Sequence, residues 1–372
     1  MTAAPALPKR YLAVDMMRGG TLALMILVNM AISDTLSYGQ LLHSVWHGFT
    51  LADAIFPCFL FVVGSAMALT FERPGSPPPG WDKILRRAVL LIACGIFVSN
   101  FPFGHFDAQG GWEMKPLANL RLPGVLQRIG LCYLIGAAVI RLGGPRAALG
   151  YVALSLPLGW VLGAAFGNLT LEGSAALKWD AAVFGLSHLY TGEGQPFDPE
   201  GLLGAIPSTG NLLAGYLALR AVLNARDPQK SIPRLMVLGL GLVAIALIWA
   251  QMLPINKKLW TSSFALLNVG LDVAILAGLV WLVDLKGMTR GSAFLAVFGK
   301  NSLALYMIAE VLMGLAWTFH VGKKSLFMWL FDGPFMGQTT TRFGSLLFGL
   351  AMVGLCWAIG WWMDKRRIYV RL

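Results

Sequence analysis

The chain has 372 residues, 57% hydrophobic and 13% charged, with a mean hydropathy of +0.67. A soluble domain carries roughly 25% charged residues, so this composition excludes a soluble globular protein and predicts a polytopic membrane protein. The formal net charge of +11 would suggest nucleic acid in a soluble chain; here it is assigned to cytoplasmic loops, and nucleic acid is not expected as a partner.

A spanning helix needs roughly 20 mainly apolar residues. In chain order such stretches fall at 12–33, 51–71, 85–103, 122–141, 146–166, 201–224, 234–254, 259–283, 291–317 and 343–363. The expectation is an all-α transmembrane bundle of about ten spans, forming a single domain over residues 1–372. Lys9 and Arg10 ahead of the first apolar run mimic a signal peptide. Asp15 and Arg18 interrupt that run and no A-x-A-like site follows, so it is predicted to be a retained span. The stretch Pro74-Gly75-Ser76-Pro77-Pro78-Pro79-Gly80 is too rich in proline for a helix.

Basic residues are unevenly shared between the two sets of loops. One side holds Lys9, Arg10, Arg73, Lys83, Arg86, Arg87, Arg141, Arg146, Arg220, Arg226, Lys230, Arg234, Lys286 and Arg290, with Lys365, Arg366, Arg367 and Arg371 in the tail. The other holds Lys115, Arg121, Lys178, Lys257, Lys258, Lys323, Lys324 and Arg342. The positive-inside bias predicts that both termini are cytoplasmic. All five histidines, His43, His47, His105, His188 and His320, then face the outer side. Cys58, Cys94, Cys132 and Cys356 lie inside apolar segments without a CxxC pair, so neither a zinc site nor a disulfide framework is expected.

Charges within spans are expensive and usually face a partner or a cavity. Here they are Asp15, Arg18, Asp53, Arg128, Asp272, Lys300 and Glu310, joined by the amides Asn29, Gln127, Asn268 and Asn301. Asp15 and Arg18 share a helix face and either pair with each other or line a site. Asp53 either caps the second span or orients a histidine. Asn29 either bonds a neighbouring helix or orients a ligand carbonyl near His43. Lys257 and Lys258 beside Trp260 serve either as interfacial anchors or as ligand contacts. No Walker A loop, GxGxxG, HExxH or GxSxG motif occurs.

Several motifs occur together in one order. They are Asp15-Met16-Met17-Arg18-Gly19, Asn29, His43-Ser44-Val45-Trp46-His47-Gly48-Phe49-Thr50-Leu51-Ala52-Asp53 and Phe56-Pro57. Next come Leu122-Pro123-Gly124-Val125-Leu126-Gln127-Arg128, Asp198-Pro199-Glu200-Gly201, Asn256-Lys257-Lys258-Leu259-Trp260 and Asn301-Ser302. In this the chain resembles the heparan-α-glucosaminide N-acetyltransferase family of transmembrane acyltransferases. It is expected to lack the large lumenal domain of the lysosomal enzyme, and so to be similar to the short bacterial NagX-like members. The resemblance implies transfer of acetyl from acetyl-CoA to an amino sugar, with no metal. It assigns the active histidine to His43, which precedes Trp46-His47-Gly48 at the family's spacing, and the active-site asparagine to Asn29. It also implies a bacterial inner-membrane location and a homodimer.

The chemistry asks for a base at the acceptor and donors at the thioester oxygen. His43 suits the first task and Asn29 the second. Asp53, Gln127, Arg128, Lys257, Lys258, Trp260, Lys300 and Asn301 are candidate contacts to CoA or sugar. The rival readings are a transporter of amino sugars or small anions, an O-acetyltransferase of cell-surface glycans, and a membrane scaffold.

Overall fold

The computed structural model describes residues 11–31, 35–107, 109–336 and 342–370. Lys9, Arg10 and Arg371, counted above for orientation, lie outside them. The fold is a helical bundle. Helix α1 is Leu12–Asn29, α2 is Leu51–Phe71 and α3 is Trp81–Asn100. Helix α4 (Val125–Phe166) is followed by the short α5 (Ala175–Phe184) and by α6 (Leu202–Leu223). Then come α7 (Pro228–Trp249) and α8 (Ser262–Leu279), the latter extended by a π-helical turn over Val280–Leu285. Helices α9 (Ser292–Lys300), α10 (Ser302–Thr318), α11 (Leu326–Leu330) and α12 (Arg342–Lys365) complete the chain.

Two short antiparallel hairpins interrupt the helices, a feature the all-α reading does not contain. Strands β1 (Gly104–Phe106) and β2 (Trp112–Met114) pair with His105 opposite Glu113, and β3 (His320–Val321) pairs with β4 (Lys324–Ser325).

Among the described residues seven helices are long and apolar enough to cross a membrane, or eight if the bent pair α9–α10 counts as one span. That tally takes α4 as one helix and leaves out α3. The stretches 122–141 and 146–166 are the two helical halves of α4, broken at Gly144, whose positive φ of 62° only glycine adopts without strain, just before Pro145. Helix α3 has the length but carries Asp82, Lys83, Arg86 and Arg87 in its first two turns. Between α9 and α10 the axis turns by 80° at Asn301, so 291–317 is not one straight helix.

Helix α6 is apolar all round and correspondingly buried, from Leu203 to Val222. Helix α7 buries only Ile232, Leu235, Gly239 and Ala246, as expected of a helix facing lipid. Helices α2 and α6 approach backbone to backbone. A Cβ at Gly64 would collide with the carbonyl of Leu212, and one at Gly215 with that of Phe61. Close approach through small residues is what drives helix association where lipid is as apolar as the side chains. Ser65 Oγ adds a hydrogen bond to the Gly215 carbonyl at 3.2 Å.

The chain direction gives the bundle two distinct ends. The last residue of α1, the first turn of α2 and the α7–α8 connection meet at the histidine end. The start of α1, the end of α2, the start of α3 and the segment after α12 meet at the tail end.

Candidate active site

The α1–α2 connection is held by one carboxylate. Asp53 is the third residue of α2, and its Oδ2 accepts from the Thr50 and Ser44 backbone N–H groups at 3.1 and 3.2 Å. The same oxygen accepts from the Ser44 and Thr50 hydroxyls at 2.6 and 3.1 Å. Thr50 and Asp53 thus form a capping box. The other oxygen, Oδ1, lies 2.9 Å from His43 Nδ1. Capping and histidine contact therefore coexist in one carboxylate. Asp53 is completely buried while the His43 side chain is 44% exposed, so the ring is reachable and the carboxylate is not. With Nδ1 donating its proton to Asp53, Nε2 presents a lone pair.

A turn between α7 and α8 presents the next group. Asn256 Oδ1 accepts from Leu259 N–H at 2.8 Å, and Thr261 N–H donates to the Asn256 carbonyl at 3.1 Å. The tight turn forces Trp260 to a φ of 50°, unusual for a bulky residue. It carries Lys257 Nζ to 3.0 Å from His43 Nε2 and 3.2 Å from Nδ1. Burial lowers the Lys257 pKa below the usual lysine range, against the opposing pull of Glu200, Asp53 and Glu193 and with a push from Lys258. The two loops are joined by Gly48 N–H donating to the Ile255 carbonyl at 2.9 Å, with Gly48 at a φ of 138°. His47, exposed, reaches Asn256 Nδ2 at 3.3 Å rather than Asp53.

An arginine closes the floor. Arg121 grips Asp198 with two hydrogen bonds of 2.8 Å and donates to Glu200 at 2.7 Å. Burial disfavours its charge, but these carboxylates outweigh burial and raise its pKa above the ordinary value. On the far wall, exposed Asn29 donates from Nδ2 to Glu310 Oε1 at 2.9 Å, and Glu310 is also within hydrogen-bonding reach of Tyr306. Among the described residues Asn29 bonds Glu310 and not His43. The two walls are electrostatically coupled, because Arg121 acts on Glu310 and Tyr306 while Glu200 acts on Tyr306 and Lys257.

Other candidates have internal duties. Gln127 donates to the Leu122 and Pro123 carbonyls at 3.1 and 3.3 Å, tying down the loop before α4. Arg128 is buried, donates to the Gly201 carbonyl and lies 5.1 Å over the Trp260 ring. Its Nε and Nη1 have no hydrogen-bond partner among the described residues. Trp260 is buried between Phe56 and Phe264 at 5.3 Å from each, with its indole N–H on Asn211. Lys258 is paired with Glu193 and donates to the Val45 carbonyl at 2.8 Å. Lys300 and Asn301 lie at the tail end, far from His43, where Lys300 pairs with Asp364 at 2.6 Å.

A cavity of about 710 Å³ extends from the tail end into the bundle. Asp15, Arg18, Arg87 and Lys300 line it, and so do Met25 and Tyr306, which lies within reach of Glu310. Asp15 and Arg18 pair across 3.8 Å and border the cavity. Glu310, Tyr306 and Arg87 were not singled out as site residues from the sequence. The signal for Glu310 was a carboxylate inside a span; Tyr306 and Arg87 carry none.

Fold and site together define a class: a polytopic helical membrane protein in which a carboxylate-held histidine faces the end of a hollow bundle. Residues 10–226 match the model of the catalytic region of heparan-alpha-glucosaminide N-acetyltransferase. The chain is 29% identical to heparan-alpha-glucosaminide N-acetyltransferase of Homo sapiens, over 82% of this chain and 53% of that protein. Identity to the Mus musculus protein of the same name is also 29%, over 82% and 54%. The chain thus spans about half the length of the curated relatives it matches. It belongs to the heparan-alpha-glucosaminide N-acetyltransferase catalytic family.

Proposed function

We propose that the chain is a membrane-embedded acetyltransferase moving acetyl from acetyl-CoA to an amino sugar of glucosamine type, with His43 as the base. The observation that carries this reading is the Asp53–His43–Lys257 arrangement in a chain of this family. Asp53 holds Nδ1 protonated, so Nε2 takes the proton from the acceptor nitrogen as the N–C bond forms. The C–S bond breaks, and the imidazolium returns the proton to the leaving sulfur. Lys257 occupies the Nε2 side at rest. Displaced by the acceptor, its ammonium turns to the developing oxyanion. Asn29, its amide fixed by Glu310, orients the reacting carbonyl.

Both termini are assigned to the cytoplasm on the distribution of basic residues, which puts His43 at the outer face of a bacterial inner membrane. The donor then enters from the tail end, its thioester threaded through the cavity beside Tyr306. Direct transfer in a ternary complex needs fewer steps than an acetyl-histidine. A homodimer is expected from the family resemblance alone.

The test is release of free CoA when the purified protein meets acetyl-CoA and a panel of amino sugars. His43→Ala should reduce it by up to about 10⁴-fold. Undiminished release by that variant would remove His43 as the base. Sugar uptake by proteoliposomes without CoA release would favour a transporter.

A further inference from the structure

Three cations line the tail end of the cavity, and they differ in how they are satisfied. Arg18 has Asp15 at 3.8 Å and Lys300 has Asp364 at 2.6 Å. Arg87 has no carboxylate partner among the described residues. Its guanidinium lies 4.8 Å over the Tyr133 ring, and its Nε is buried without a hydrogen-bond partner there. A guanidinium resting over an aromatic ring, with no carboxylate partner among the described residues, is suited to a phosphate, which it can bind in bidentate fashion.

The same end is roofed by the segment after α12. Tyr369 and Val370 form part of the cavity wall. One side chain ties this segment to the α9–α10 bend. Asn301 Nδ2 donates to the Ile368 carbonyl at 2.9 Å, and Asn301 Oδ1 accepts from Val370 N–H at 3.0 Å. Asn301 also sits at the 80° bend between α9 and α10, so wall and bend share one residue. Tyr369 O–H donates to Asp364, the partner of Lys300, at 2.7 Å. The segment is tied to the end of α12 by Arg367 N–H on the Asp364 carbonyl at 3.0 Å and Ile368 N–H on the Met363 carbonyl at 2.9 Å, and the Asn301 pair is its link to the α9–α10 bend, so losing that pair frees the wall without unfolding a helix.

We propose that Arg87 and the strap 366–370 form the subsite for the phosphate-bearing end of the donor, Arg87 gripping a phosphate and the strap closing behind it. This rests on the acetyl-CoA reading above. It gives Asn301 a role through the strap rather than through the ligand, and makes it a positioning residue. Phosphate could be supplied by a CoA-type nucleotide or by an anionic lipid headgroup; the proposal takes the nucleotide.

Calorimetry on the full chain in detergent tests it, with CoA and phosphate-free pantetheine as probes. Arg87→Ala should weaken CoA about 10–100-fold and leave pantetheine unchanged, with partial recovery in Arg87→Lys. In wild-type protein, CoA should slow amide exchange in a peptide covering 366–370. Asn301→Ala should speed that exchange without CoA and raise KM for acetyl-CoA more than it lowers kcat. Nanodiscs of phosphatidylcholine with and without phosphatidylglycerol should bind CoA alike; loss of CoA binding in the anionic discs would identify a lipid headgroup as occupant and overturn the proposal. Wild-type CoA binding with Arg87→Ala unaffected, or a strap insensitive to CoA, would overturn the subsite alone. No CoA binding by wild type, with no acetyl transfer, would overturn the donor reading as well.

Discussion

The two ends of the bundle solve opposite problems with similar residues. At the histidine end, charges are locked into pairs: Asp53 with His43, Arg121 with Asp198 and Glu200, Lys258 with Glu193. Asp53 and Asp198 are buried, and the backbone N–H groups of Ser44, Thr50, Tyr190 and Glu200 complete the hydrogen bonding of these two carboxylates. At the tail end the bundle is hollow, the pairs are half-exposed, and Arg87 is left over. The first arrangement orients the His43 ring through Asp53, and proton transfer depends on such positioning. The second leaves room and unspent donors, which binding a large anion requires. Arg18 and Asn29 on α1 are eleven residues apart, so about 16 Å of helix separates the functions.

If that contrast is right, deleting one partner must cost far more at the histidine end. The largest effect is expected for Arg121→Met. It strands Asp198, which is fully buried, and Glu200, and should cost about 3–5 kcal/mol. A thermal midpoint close to wild type would break the comparison. Asp53→Asn should follow, lowering acetyl transfer about 10²-fold by freeing the His43 tautomer, with CoA affinity unchanged; a fall in affinity instead would link the two ends.

Asp180 on α5 supplies a pH test. Burial raises its pKa from 3.8 to about 6, against the Leu202 N–H and Arg128, which lower it. Between those values the unfolded chain ionises first, so the folded state loses stability as pH rises from about 4 to about 6. The loss then stays constant and is at most about 3 kcal/mol. Asp180→Asn should flatten that slope in thermal unfolding across the same window, and parallel curves for variant and wild type would refute it. The smallest effect belongs to the tail end. Lys300→Met breaks a half-exposed pair with Asp364 and should cost less than about 1 kcal/mol; a loss as large as that at Arg121 would erase the distinction.

Much of the site was legible because a membrane makes polarity conspicuous. Asp53, Asn29, Glu310 and Lys300 stand out in apolar runs, and the His43-to-Asp53 stretch is short enough to fold back on itself. The reach of Lys257 across 214 residues to His43 was not legible. Neither was the internal use of Gln127, Arg128 and Trp260, since a polar side chain in a span looks the same whether it binds a carbonyl or a ligand. The break at Gly144 falls between two of the predicted stretches, whereas the 80° bend at Asn301 was not legible.

What the sequence by itself determined is the class of structure and the family, because hydropathy and short motifs are local properties of the chain. Only the tertiary structure decided which polar residues are spent on each other and which remain available. Hydrogen-bond satisfaction belongs to pairs and cannot be read from either partner alone. Arg128 and Arg87 show the difference. Both keep a donor without a hydrogen-bond partner among the described residues, but Arg128 is sealed in the core against Trp260 and Gly201 whereas Arg87 lines the cavity.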